Sequence, residues 1–341
     1  MIPSEMDEFD AERRTWDESQ IRKYDIKMKS VPKYRYDDPR VKELMAASKP
    51  VIITDSGMVE PAFKWDLNYL SKHMANANCT VIVSKDHNFK YYDDKCVLAS
   101  VRAKFVPPTK KIAMKIGEFA KRIKTLPPGG ERMYLQQGLN SSVGQEIVND
   151  FVQFKWDWIN GIQKEMGWNS LTSNLLLIGM EGNVTPCHYD EQENLFAQVR
   201  GYKRILLFPP EQFGCLYPHP AWHPHDRQSQ VDFDDPDLEK YPKFSEALAS
   251  EAIVGPGDVL YIPNYWWHHV ESLMKGGYTI SVNFWYKSKP TGAISYPLNA
   301  IQKMAIMRNV EKMLVDALRD PEEVGPLLCD IVLGRYHDMS S

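Results

Sequence analysis

Cysteine is scarce in this sequence and none of it is arranged in pairs. The 341 residues hold five, Cys79, Cys96, Cys187, Cys215 and Cys329, an odd number with no C-x-x-C spacing. That excludes a disulfide framework, offers no cysteine zinc site and suits a reducing compartment. Long apolar runs are missing too: none approaches the ~18–20 residues of a membrane span. Met1 to Glu12 is acidic and polar, where a signal peptide would be basic and then apolar, so a soluble intracellular protein with no membrane partner is expected. Neither charge is in large excess. A net charge of -4 and a pI near 6.2, with Lys and Arg scattered, leave no basic surface for nucleic acid. Short basic pairs such as Lys110-Lys111 read as solvated faces. Internal repeats and low-complexity tracts are absent, and the length suits one large domain with appendages, or two domains.

Aromatic residues are plentiful, with nine Trp among them, enough for a large packed core. Residues 1–15 read as a flexible acidic tail. Residues 16–172 read as an α+β wrapping. Its strands are expected at 50–54, 80–83, 89–92 and 131–137, and its helices at 41–45, 65–70, 112–123 and from 148 through Trp158. From 173 to 286 short β runs dominate, at 173–180, 195–200, 203–208, 252–254, 258–262 and 278–286, the pattern of a barrel or sandwich. A stretch at 210–248, rich in Pro, His and Asp, is too long for a plain connection and reads as an ordered lid. In 287–341 the period changes. Met307, Val310, Leu314, Ala317 and Leu318 share a helical face, Pro321 breaks it, and Val324, Leu327, Leu328 and Ile331 mark a second helix.

The chemistry sits in Cys187-His188-Tyr189-Asp190 and in Tyr265-Trp266-Trp267-His268. Residues two apart on a strand face the same way, so His188 and Asp190 can point together into a barrel while Tyr189 points out. The turn and strand of Gly255-Pro-Gly257-Asp258-Val-Leu-Tyr-Ile-Pro263 bring His268 toward them as the strand's terminal residue, with His269 facing the opposite side. Two histidines and one carboxylate form the face that non-haem Fe(II) oxygenases use, with coordination positions left open. A keto acid suits those positions, its far carboxylate needing a cation, and Lys203 lies within the barrel segment. His219, His223 and His225 have spacing that could hold zinc, but no fourth ligand is evident, and a surface loop is the plainer reading.

The run Asn174-Leu-Leu-Leu-Ile-Gly-Met-Glu-Gly-Asn-Val-Thr-Pro-Cys-His-Tyr-Asp190, with Gly201-Tyr-Lys-Arg204, Asp226-Arg-Gln-Ser-Gln-Val-Asp-Phe233 and Tyr265-Trp-Trp-His-His269, closely resembles the asparaginyl hydroxylases of hypoxia-inducible factor. These belong to the JmjC branch of the 2-oxoglutarate dioxygenases. The resemblance implies a mainly β fold with flanking helices: a double-stranded β-helix, the jelly roll of a cupin-like JmjC core, plus two C-terminal helices. It implies Fe(II) on His188, Asp190 and His268, with 2-oxoglutarate and O2 as cosubstrates. Lys203, Tyr134 and Thr185 match the holders of the far carboxylate, Asn194 and Asn283 polar neighbours of the chelate, and Trp285 an aromatic beside the metal. Tyr91, Gln192, Arg227 and Gln228 match the substrate side. Implied partners are peptide segments of hypoxia-inducible factor α and of ankyrin-repeat proteins, with a homodimer through the C-terminal helices around Leu328, in cytoplasm and nucleus. The pattern departs at Cys187 and Glu193, where the family has alanine and glutamine. Two other readings stand beside this one, N-methyl-lysine demethylation by the same chemistry and a non-catalytic cupin that binds peptide.

Overall fold

A computed structural model describes residues 16, 19, 21–74, 77–93, 99–127, 129–273, 277–290, 294 and 296–335. The 1–15 tail and Cys96 lie outside the described residues. Among the described residues fourteen strands carry the fold: β1 Lys27–Ser30, β2 Lys33–Arg35, β3 Val51–Thr54, β4 Asn78–Ser84, β5 Thr109–Lys115, β6 Arg132–Gly138 and β7 Leu171–Met180, then β8 Val184–Tyr189, β9 Glu193–Arg200, β10 Lys203–Phe208, β11 Leu248–Val254, β12 Val259–Ile262, β13 Trp267–Ser272 and β14 Tyr278–Tyr286. One sheet has the order β1-β11-β10-β13-β8 and the other β2-β3-β12-β9-β14-β7-β6-β4-β5. Strands β7 to β14 divide evenly between the two sheets, which makes the cupin-like jelly roll. Strands of the N-terminal segment extend both sheets rather than wrapping them. β1 pairs parallel with β11 and β6 pairs antiparallel with β7, so hydrogen bonds cross the expected 172/173 boundary.

Alternation along the strands sorts the side chains into three layers. Between the sheets lie Ile52, Leu177, Phe196 and Leu260 from one and Ile205, Leu207, Val254 and Val270 from the other. Behind the larger sheet, Ile178, Leu195, Val282 and Phe284 pack on helices through Leu70, Phe119 and Ile159. Behind the smaller sheet, Leu206, Phe208 and Trp267 are covered by Leu216, Val231, Phe233 and Phe244 of the 210–248 stretch and by Met304 of a C-terminal helix. Each such side chain contributes roughly 1.5–3 kcal/mol by leaving water. Because β9, β10 and β13 are buried on both faces, a polar residue at an inner position is forced into the barrel. Asn194, Lys203 and His268 occupy such positions.

Several local expectations change. Residues 109–115 are a strand, and the helix begins at Ile116. Thr109–Lys115 is the last strand of its sheet, its Lys110, Lys111 and Lys115 exposed, as suits an edge. Phe89 to Tyr92 is not a strand. A bridge joins Asn88 to Val184, and Phe89 and Tyr91 beyond it line the cavity between the sheets. The helix expected at 65–70 runs Leu67–His73, capped by Asp66, whose Oδ1 accepts from Tyr69 N at 2.6 Å. His268 does not end a strand but is the second residue of β13, and Asp190 lies one residue past the end of β8. The helical stretch from 148 is two helices, Gln145–Val152 and Trp156–Met166. The C-terminal pair are Ala300–Leu318 and Val324–Arg335, with Pro321 opening the turn between them. No helix of the described residues is long and apolar enough to cross a membrane, and Cys79, Cys187, Cys215 and Cys329 are free thiols.

Candidate active site

A cavity of about 240 Å³ opens between the sheets, and Ile82, Leu175, Leu177, Phe196, Ile262 and Val270 give it apolar walls. At one end the antiparallel register sets His188 directly across from His268, with ring centroids 4.1 Å apart. His188 Nδ1 bonds the carbonyl of Pro186 at 2.9 Å, and His268 Nδ1 that of Trp266 at 3.0 Å. A carbonyl can only accept, so each Nδ1 carries the proton and each Nε2 keeps its lone pair for a metal. Asp190 completes the set. One ligand atom from each of the three lies within 4.8 Å of the others, a donor set of two imidazoles and one carboxylate that suits iron.

The charges agree with that use. Burial first, and the neighbouring His268 second, push His188 down to about 4, so it is neutral at ordinary pH. Burial acts to raise the Asp190 carboxyl, but His188, His268 and Arg227 outweigh it and hold the group ionised. Trp285 Nε1 donates to Asp190 Oδ2 at 3.1 Å, and Arg227 Nη1 stands 3.5 Å from Oδ1, which fixes the carboxylate's orientation. Arg227 itself has a φ of 66°, a strained conformation for a residue with a side chain.

At the other end sits Lys203, 1% exposed, its Nζ 3.4 Å from the Tyr134 hydroxyl and 5.1 Å from the Phe196 ring centre. Among the described residues no carboxylate pairs with it. Burial pushes the ammonium down to about 7, so an anion entering the cavity would restore a charge that the fold alone disfavours. Tyr134, which is hydrogen-bonded to Thr185, is raised by burial and stays a donor. Its ring lies over Gly179 of β7, where an added Cβ would stand 3.4 Å from the ring and 2.9 Å from Ser272 Oγ. Asn194 Oδ1 and Asn283 Oδ1 are buried without partners, both within the cavity lining. A three-residue metal-ligand face at one end, the lone Lys203 at the other and orphaned amide oxygens between them would suit a short keto acid with a carboxylate at each end.

The structure brings together nearly every residue expected at the site. His188, Asp190, His268, Tyr134, Thr185, Asn194, Lys203, Asn283, Trp285, Tyr91, Arg227 and Gln228 all line the cavity. Gln192 does not. It lies in the turn after Asp190, and its Nε2 donates to Thr172 Oγ1 at 3.0 Å. Gln136 was not foreseen, although its spacing of two from Tyr134 on β6 was the available signal. Cys187 faces away, into the layer behind the smaller sheet, where burial raises its thiol and keeps it unreactive. Glu193 also points out, accepting from the Tyr261 hydroxyl at 2.8 Å and from Asn264 N at 3.2 Å. His269 turns away from the cavity as expected, bonding Tyr24 Oη at 3.0 Å and stacking on Phe233.

His219, His223 and His225 are not the plain surface loop the sequence suggested. Their rings gather, His219 and His223 stacked 4.2 Å apart and each 5.4 Å from His225. Lys90 Nζ sits 3.2 Å from His219 Nε2, and a cation there opposes a metal.

Comparison with known proteins follows the same lines. A family model described as "Cupin-like domain" matches residues 39–292. The chain is similar to Lysine-specific demethylase 8 of Danio rerio, 45% identical over 108 residues, which is 32% of this chain and 26% of that protein. HSPB1-associated protein 1 of Homo sapiens is 36% identical over 151 residues, 43% of this chain and 28% of that protein. Lysine-specific demethylase JMJ30 of Arabidopsis thaliana is 30% identical over 251 residues, 72% of this chain and 52% of that protein. The matched segment thus spans about a quarter of the first two relatives and about half of the third.

Proposed function

This chain belongs to the cupin-like JmjC domain family, and on that premise we propose that it is an Fe(II)- and 2-oxoglutarate-dependent hydroxylase that modifies the β-carbon of asparagine in an extended peptide. The observation that carries the reading is the cavity with a His188-Asp190-His268 face at one end and an unpaired Lys203 at the other. When bound, iron with 2-oxoglutarate and O2 supplies the oxidising chemistry, giving succinate and CO2 and placing one oxygen atom in a C–H bond. His188, Asp190 and His268 hold the metal, while Lys203, Tyr134 and Thr185 hold the far carboxylate. The apolar walls keep water from the reacting carbon.

For the substrate, two features favour a neutral amide. Gln228 Nε2 donates to the Tyr91 carbonyl, which leaves its Oε1 to accept from an amide N–H. Arg227 places a positive charge beside Asp190, and that opposes a methylammonium. Demethylation of N-methyl-lysine is the second reading, favoured by the names of the demethylase relatives. Incubating an asparagine-containing peptide and a methyl-lysine peptide with the protein, Fe(II) and 2-oxoglutarate separates the two by mass. Gain of one oxygen on the first supports the proposal, and loss of a methyl from the second replaces it.

Peptides from hypoxia-inducible factor α and ankyrin-repeat proteins are the proposed partners, met in cytoplasm and nucleus. A homodimer through the C-terminal helices belongs to the same proposal. It is supported by the exposed Ile306, Met313 and Leu333 on those helices and by the half-buried Leu328. Leu328→Arg followed by sedimentation tests it, an unchanged mass ruling out this interface.

A further inference from the structure

Arg308 lies in the middle of the C-terminal helix Ala300–Leu318, far in sequence from the cavity, with its side chain 11% exposed. Its guanidinium forks onto the Asp226 carboxylate, Nη1 to Oδ1 and Nη2 to Oδ2, the second at 2.9 Å. The same group reaches the Tyr189 hydroxyl at 3.3 Å and Glu191 Oε1 at 3.6 Å. Each partner is next in the chain to a cavity residue: Tyr189 stands between His188 and Asp190, Glu191 follows Asp190, and Asp226 precedes Arg227. One helical turn on, Glu311 Oε2 accepts from Ala221 N at 2.7 Å, a second grip on the same segment. That segment is laced to the ligand strand, with Tyr189 N bonding Arg227 O at 3.1 Å and Ser229 N bonding Cys187 O at 2.9 Å. Arg227 needs such support, because a positive φ persists in a residue with a side chain only where its surroundings impose it.

We infer that Arg308 is a positioning residue for the substrate amide: through Asp226 it sets Arg227 and Gln228 at the cavity mouth, which makes the C-terminal helix part of the substrate site. The role rests on the hydroxylase reading. It touches neither the metal ligands nor Lys203, so it separates peptide from cosubstrate. Bidentate binding is what only Arg supplies, and Lys keeps the charge without the fork.

The test uses the full chain with Arg308→Ala, Arg308→Lys and Asp226→Asn, an asparagine-containing peptide and 2-oxoglutarate. The expected result is a KM for peptide raised about tenfold or more in Arg308→Ala, on the scale of one lost charge-assisted contact, with partial recovery in Arg308→Lys. The KM for 2-oxoglutarate stays within about twofold. An unchanged peptide KM, or an equal rise in both KM values, overturns the inference, the latter showing a purely structural role. Amide hydrogen exchange reads the same idea without turnover. Arg308→Ala and Asp226→Asn should speed exchange across 221–230 and leave β13 protected, and unchanged exchange in 221–230 overturns the inference. Should the unaltered protein fail to hydroxylate the peptide, the reaction assignment fails while exchange still decides the positioning role.

Discussion

Among the described residues histidines gather at His188 and His268 and at His219, His223 and His225, and of these two groups one is built for a metal. At His188 and His268 each Nδ1 is tied to a backbone carbonyl two residues back, which turns both Nε2 atoms toward Asp190. At His219, His223 and His225 the polar atoms are spent otherwise. His223 Nδ1 accepts from His225 N at 3.0 Å, His225 Nδ1 meets the Tyr91 carbonyl at 2.6 Å, and His219 Nε2 faces Lys90. The second group has the more imidazoles, three against two. What differs is a carboxylate against an ammonium, and convergent nitrogens against stacked rings. A metal centre is thus made by the backbone and the counter-charge as much as by its ligands.

The largest effect should come from His188→Ala or Asp190→Ala, which should abolish iron-dependent succinate release, while His223→Ala leaves it near the unaltered level. Measured turnover in either ligand variant would sink the comparison, as would a stoichiometric metal retained by the outer histidines. Next, Lys203→Ala should raise the 2-oxoglutarate needed for half-maximal rate, by roughly tenfold to a hundredfold for a charge-assisted contact of about 1.5–3 kcal/mol. A weaker dependence on peptide than on 2-oxoglutarate is the sign to look for.

A smaller effect concerns acid. Burial, then Lys90, pushes His225 down to about 4 and His219 to about 2, against an ordinary value of about 6.5. The unfolded chain therefore takes up protons that the folded one refuses. Stability from these residues is complete above about pH 6.5 and should fall as pH drops toward 4, by a few degrees of melting temperature. Replacing His219 and His225 by Phe should flatten that slope, and an unchanged slope would show that other groups set it. The smallest change should follow Lys90→Met, which removes the secondary cause and keeps the burial. NMR titration should show the three histidines moving a little way up.

The sequence made some of this site legible because facing is a local property. Period two on a strand is enough to put His188 and Asp190 on one side and Cys187 and Tyr189 on the other, whereas Lys203 is placed by its position within the barrel segment. Pairing between distant segments has no such local mark. Nothing near Arg308 indicates Asp226, and nothing near His219 indicates Lys90. For the same reason β13 was seen only as a terminal histidine, since its residues are buried on both faces and show no alternation of polarity. Ile112 to Lys115 read as the start of a helix because an edge strand with exposed lysines lacks the apolar partners that reveal its period.

The strand order carries a consequence for how the chain reaches this shape. β1 can pair only after β11 exists, and β3 lies beside β12, so the earliest strands wait for some of the latest. The metal ligands themselves sit on β8 and just beyond it, and on β13. Contacts so far apart in sequence close slowly and late. During synthesis β1 therefore emerges before its partner strand, and the His188-Asp190-His268 face can close only once β13 is made. A fragment ending before β11 should leave β1 without a partner and stay prone to aggregation, however complete its own helices are.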